Sequence, residues 1–330
     1  MSYPLNPTLF TDDMQLEPTR TGFGRGLKAA GEANEAIVAL CADLTESTQM
    51  HLFRDAFPKR FVEIGIAEQN LVTVASGMAR AGKIPFTSSY AAFSPGRNWE
   101  QIRTTIALNN QPVKIVGSHA GIYTGKDGAT HQMLEDIALM RVLPNMIVVA
   151  PGDGLEAEKA TKLIAENGKP TYIRLAREKT PIFSTADSPF EIGKAYVLHE
   201  GNDISLMGTG TMTYQLLVAA EVLAKQGINA EVIHVPTIKP LDEEAILASA
   251  KKTGRVITAE EAQIAGGFGG AITELLSDKL PMPVKRFGMR DRFGESGDPK
   301  DLFEHFGLTG AQIAEQIATW VQTTPRYHQE

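Results

Sequence analysis

Short runs of β-branched and other apolar residues alternate along this chain with stretches of helical period. In the first half the runs are 36–40 (Ala-Ile-Val-Ala-Leu), 113–117, 146–150 and 171–175, and helical patterns fill Trp99 to Leu108 and Leu155 to Glu166. The second half repeats the style at 203–207, 230–235 and 255–259, with helices near 212–226 and 241–252. Such alternation predicts βαβ units. The fold class is therefore α/β, with two doubly wound, mostly parallel-sheet domains. A polar, proline-bearing stretch from Pro181 to Pro189 has neither periodicity and is the linker candidate, placing the domains at 1–187 and 188–330. The first fifteen or so residues read as an extended arm.

One strand-to-helix transition stands out. Phe61-Val-Glu-Ile-Gly is a short apolar strand, and Leu71, Val74, Ala75 and Met78 follow the helical period, so Glu68 falls in the first helical turn at a strand's carboxyl end. Ligands of open α/β sheets bind at that edge, which makes Glu68 a candidate for acid/base work. The competing reading is structural, because a first-turn glutamate complements the helix dipole by roughly 0.3–1 kcal/mol. The dipole favours the ionised form, so only burial against an apolar partner would keep a proton on this carboxyl near neutral pH.

The segment 88–99 concentrates Tyr90, Phe93 and Trp99 in a chain that is only 7% aromatic. Aromatics commonly fill a core, yet Pro95 and Gly96 interrupt any helix here, leaving Tyr90 and Phe93 on a strand end or loop where a flat ring could stack between them. His119 and His131 flank a glycine-bearing loop that also carries Asp127. Loops carry function more often than packing, and the pair lacks the His-x-x-x-His spacing of zinc enzymes, so proton transfer or substrate contact fits better than metal.

The glycine-rich elements are plainer. Gly208-Thr-Gly210 lacks the third glycine of a dinucleotide fingerprint, and Gly266 to Gly270 lacks the Lys-Ser/Thr of a phosphate loop. Gly152-Asp153-Gly154 opens like a magnesium–diphosphate motif, but Asn167 comes too soon for its second half, so the triplet reads as a turn and helix cap. No metal site is visible.

Composition narrows the partners. The chain has 330 residues, 43% hydrophobic and 22% charged, with formal net charge −7 and dispersed lysines and arginines. This argues against nucleic acid or an anionic membrane as the main partner. No apolar run approaches the ~20 residues of a membrane span, and the start has no basic or apolar leader pattern. Cys41 is the sole cysteine, which suits a reducing compartment; the expected location is cytoplasmic.

Taken in order, Glu63-Ile-Gly-Ile-Ala-Glu68-Gln, Tyr90-Ala-Ala-Phe93, Gly117-Ser-His119-Ala-Gly, Lys126-Asp127-Gly-Ala-Thr-His131-Gln and Ile173-Arg-Leu-Ala-Arg177 resemble the motifs of transketolases, over essentially the whole chain. The resemblance implies thiamine diphosphate at a subunit interface, its aminopyrimidine held by one domain and its diphosphate with Mg²⁺ by another. Glu68 matches the glutamate that hydrogen-bonds the pyrimidine, sealed against an apolar ring. Tyr90 and Phe93 match the aromatic pocket, and Asp43 an aspartate near the cofactor. His131 matches a histidine that handles a proton at the sugar, and Asp127 an aspartate that reads a sugar hydroxyl. Arg20, Ser47, His119 and Arg177 match the clamp on a terminal phosphate.

A complete transketolase is about twice as long, and the diphosphate and Mg²⁺ half is absent here. The resemblance is thus to the second subunit of a split transketolase, which needs a separate N-terminal subunit and implies an α2β2 heterotetramer. The beta subunit of a 2-oxo acid dehydrogenase is similar in length and domain order, but the Asp127–Gln132 run and the clamp count against it. Deoxyxylulose-phosphate synthases share the surroundings of Glu68 and His131, though they are normally unsplit. A non-catalytic scaffold with this fold is the reading from another class.

Overall fold

The computed structural model describes residues 3–327. Seven strands form the first sheet, in the order Thr237–Lys239, Ile147–Val149, Thr171–Arg174, Lys114–Ser118, Ile84–Tyr90, Ile37–Cys41, Phe61–Glu63. All are parallel except Thr237–Lys239, which runs antiparallel on the edge. The inner strands are buried on both faces, which is why they read as continuous apolar runs rather than alternating ones. The second sheet has the order Val284–Met289, Val256–Gln263, Ile204–Gly208, Ala230–His234, Tyr196–His199, with only the last antiparallel to its neighbour.

Two sheets match the expected α/β architecture. The halves are nevertheless not separate, because Thr237–Lys239 leaves the second half of the chain to complete the first sheet. That strand and Tyr196–His199 are short edge pieces of three and four residues, and the sequence reading does not include them. Helix Thr19–Ala33 is also unannounced, since four glycines dilute its periodicity. They serve packing: a Cβ on Gly22 would lie 1.8 Å from the carbonyl oxygen of Gly154, at the start of helix Gly154–Glu166.

The Gly152-Asp153-Gly154 turn caps that helix, with Asp153 Oδ1 accepting from Glu156 N at 2.9 Å. Its other oxygen accepts from Phe183 N and Ser184 N at 3.0 and 2.7 Å, so the stretch expected as a linker is pinned, and Phe183 is fully buried. Burial, with Glu156 adding to it, raises the Asp153 carboxyl to about 6. Asn167 is occupied elsewhere, accepting from the buried Lys114 Nζ at 2.7 Å. The N-terminal arm is described from Tyr3; Met1 and Ser2, part of the leader reading, lie outside the described residues. Tyr3 donates to Glu156 at 2.6 Å, and Glu156 also meets His234 Nε2 at 2.7 Å, tying arm, first domain and second domain together. No helix among the described residues is long and apolar enough to cross a membrane.

A second buried contact between the domains is ionic. Arg174, at the end of its strand, donates to Asp136 at 2.9 Å and to Glu261 of the second sheet at 3.1 Å, and all three are nearly sealed from solvent. Burial works against the guanidinium charge, yet the two carboxylates hold its pKa above the usual value. Arg174→Met strands both carboxylates, which predicts a loss of about 3–5 kcal/mol in urea unfolding. Adding Asp136→Asn and Glu261→Gln should recover part of that loss.

Candidate active site

The parallel strands of the first sheet deliver their carboxyl ends to one edge, and the expected residues sit in the loops there. Helix Glu68–Arg80 begins at Glu68, whose side chain is only 2% exposed. Its carboxylate is paired with a cation. Arg97 Nη1 donates to Glu68 Oε2 at 2.7 Å, and Asn98 Nδ2 donates to the Glu68 carbonyl at 2.7 Å. The pocket is lined by rings on one side and by this ion pair on the other.

Tyr90 ends its strand, and its ring lies 6.0 Å from Phe93, near-parallel at 19°. Tyr90 also stacks on His119 at 3.7 Å, while His131 meets Tyr90 and Phe93 edge-on at 6.0 and 5.4 Å. The two loop histidines thus converge on the aromatic pair. His119 adopts φ 55°, left-handed backbone that L residues occupy at a cost of order 1–3 kcal/mol. The surroundings fix it: Thr124 Oγ1 donates to its carbonyl at 2.6 Å, and Ala120 N donates to Leu175 at 3.0 Å. Ser118 Oγ lies 2.9 Å from His119 Nδ1, and Thr130 Oγ1 lies 2.8 Å from His131 Nδ1.

Burial, with the nearby charges of Arg20, Arg177 and His131, pushes His119 down to about 2. At neutral pH it offers a hydrogen bond and no charge. Arg20 and Arg177 carry the positive charge of the cluster. Arg20 donates from Nε to the Arg177 carbonyl at 3.1 Å and from Nη1 to the Ser47 carbonyl at 2.5 Å. Arg177 donates to Thr124 O at 2.9 Å and lies 3.7 Å from Asp127. Arg20, Ser47, His119, Asp127 and Arg177 therefore form one group. Asp43 stands apart: it has φ 58°, its amide donates to Glu63 at 2.7 Å, and its exposed carboxylate has no hydrogen bond or ion pair among the described residues.

Sequence reading overlooked several supports. Glu63 ties two loops, accepting from Asp43 N, Gly65 N and Thr45 Oγ1. Gln132 holds the histidine loop to the second domain by donating to Gly125 O and Glu295 O at 2.9 and 2.8 Å. Arg97 had the clearest signal, a lone cation inside the aromatic run after Pro95-Gly96.

A flat heterocycle with N–H groups fits what is here. A buried carboxylate and two near-parallel rings are accompanied by a buried polar atom without a protein partner, Asn98 Oδ1, on the side chain that donates to the Glu68 carbonyl. Among the described residues no cluster of three or more His, Cys, Asp or Glu could hold a metal ion.

The family model of the transketolase pyrimidine-binding domain matches residues 17–182, and that of the transketolase C-terminal domain matches 193–313. The chain belongs to the transketolase family. It is 44% identical over 301 residues to a putative transketolase C-terminal section from Methanocaldococcus jannaschii, covering 90% of this chain and 94% of that relative. A 6-deoxy-6-sulfo-D-fructose transketolase subunit from Clostridium sp. is 43% identical, with 86% and 88% covered. Among solved structures, a split-gene transketolase described as an inactive beta4 tetramer superposes with TM-score 0.87 at 43% identity, covering 93% of this chain and 99% of that one. The transketolase of Campylobacter jejuni matches at TM-score 0.79 and 26% identity, but over only 48% of its length. Transketolases therefore occur both as single chains twice this size and as chains of this extent.

The depressed pKa of His119 has a direction that stability should follow. As pH falls through about 6.5, the unfolded chain takes up this proton while the folded chain does not, so stability is complete above that pH and declines below it. His119→Phe should remove up to about 1.4 kcal/mol per pH unit of that slope, read from urea midpoints between pH 7 and 5.

Proposed function

We propose that this chain is the catalytic-histidine half of a thiamine-diphosphate-dependent transketolase, moving a two-carbon ketol unit between sugar phosphates. The observation carrying the reading is the unbroken array from Glu68 through Phe93 and Tyr90 to His119, Arg20 and Arg177. It presents a carboxylate and rings at one end and two guanidinium groups at the other, which suit a heterocycle and an anion. When bound, thiamine diphosphate supplies the carbanion sink that ketol transfer needs.

The chain's own residues divide the remaining work. Glu68 holds a proton at the pyrimidine ring nitrogen, and Tyr90 and Phe93 wall and desolvate that ring. Asp43 assists at the cofactor from the neighbouring loop. His131 takes and returns a proton at the sugar carbonyl or hydroxyl, and Asp127 orients a hydroxyl. Arg20 and Arg177 neutralise the terminal phosphate, with neutral His119 and Ser47 adding hydrogen bonds. The names of two relatives carry a terminal anion: the sulfo sugar above, and apulose 4-phosphate for a subunit from Phocaeicola vulgatus that is 35% identical.

Diphosphate and Mg²⁺ ligands come from a separate N-terminal subunit, since the matched single-chain enzymes devote about half their length to a part this chain does not match. Paired two-fold symmetry gives an α2β2 heterotetramer. A cytoplasmic location accompanies this reading, with the lone Cys41 buried and unpaired.

In the reconstituted complex, Glu68→Ala should lower ketol transfer by about 10²-fold or more. Undiminished turnover in that variant would remove Glu68 from the mechanism. Arg177→Ala should raise KM for phosphorylated sugars by about 10- to 100-fold, with kcat and the KM of unphosphorylated sugars changed little.

A further inference from the structure

Arg97 is not required by any step above, yet it bridges the buried carboxylate and the aromatic ring. Its Nη1 donates to Glu68 Oε2 at 2.7 Å, and its guanidinium carbon lies 4.9 Å from the centroid of Phe93. These two contacts come from different elements and place one planar, delocalised cation against both. A guanidinium that stacks on an aromatic face while hydrogen-bonding a carboxylate presents the same two recognition features as a protonated aminopyrimidine. The side chain that makes them is half-exposed at 50%, whereas Glu68 is 2% exposed. The carboxylate is fixed and the cation is free to leave.

We propose that Arg97 is a place-holder for the cofactor's pyrimidine. It compensates the buried Glu68 carboxylate while the pocket lacks cofactor, and it must swing toward solvent before a heterocycle can stack on Phe93 and bond Glu68. The inference rests on the assignment of Glu68, Tyr90 and Phe93 to a pyrimidine. A buried carboxylate without a counter-ion is costly, so the pocket needs such a group until its ligand arrives. Asn98 fits the same picture: its Nδ2 anchors the Glu68 carbonyl, and its buried Oδ1 has no partner while Arg97 holds the carboxylate.

The other role open to Arg97, a permanent support for Glu68, makes the opposite prediction about affinity. Thiamine diphosphate with Mg²⁺ is titrated calorimetrically into the reconstituted complex of this chain with its N-terminal subunit, comparing wild type, Arg97→Met and Arg97→Gln. Displacement of one half-exposed ion pair and its ring contact predicts a Kd lowered by about three- to tenfold in both variants. Inorganic pyrophosphate with Mg²⁺, which lacks the heterocycle, should bind wild type and variants alike. A Kd for thiamine diphosphate that is unchanged or raised would overturn the proposal, as would equal tightening of pyrophosphate. A wild-type complex that binds pyrophosphate but gains nothing from the heterocycle would instead overturn the assignment of the pyrimidine site, and the place-holder with it.

Discussion

Everything at the active edge of this molecule depends on one buried cation. Arg174 closes the interior between the two sheets by reaching Asp136 on one side and Glu261 on the other. Three residues further along the chain is Arg177, and the helix that begins at Asp136 follows directly on the loop bearing His119, Asp127 and His131. Glu261 also accepts from Tyr123 N inside that loop at 3.3 Å. A side chain cannot grow at Gly121, where a Cβ would lie 2.6 Å from the Glu261 carboxyl carbon and 2.8 Å from an Arg174 nitrogen. The loop therefore has one available path, and the second domain enforces it.

This gives the second domain a physical role in a site to which it adds no candidate ligand. A buried ion pair is a poor source of net stability but a demanding one geometrically, since any other registry leaves a charge unpaired. Gln132, donating to Glu295, adds a neutral tether of the same kind. Strain at His119 can persist because these contacts over-determine the loop around it. The result is a neutral histidine stacked on Tyr90, so that the ring pocket and the cationic group share a wall.

Much of this was legible in the sequence. The β-branched runs located most of the interior strands because both faces of those strands are buried, but Ile84–Tyr90, with its proline, threonine and two serines, made no such run, and Val256–Gln263 extends four residues beyond its run. Glu68, Tyr90, Phe93, His119 and His131 were visible because polar and aromatic residues at strand ends and in glycine loops have little packing purpose. What the sequence concealed were relations at long range. Thr237–Lys239 looks like a loop fragment until its partner Ile147–Val149 is known. Arg174 looks like one more residue of an apolar strand, and its value lies in carboxylates 38 and 87 positions away. Arg97 stands out in the sequence as a lone cation in an aromatic run, but its pairing with Glu68, 29 positions away, does not. Asp43, matched by motif alone, shows no bond to the other site residues, and its assigned place beside a cofactor rests on the resemblance.

The central claim is that this chain holds half of a site. The direct measurement is calorimetric binding of thiamine diphosphate with Mg²⁺ to the purified chain alone and to its complex with an N-terminal transketolase subunit. The account predicts no saturable binding to the chain alone and one cofactor per αβ pair in the complex. Stoichiometric, Mg²⁺-dependent binding to the isolated chain would contradict it.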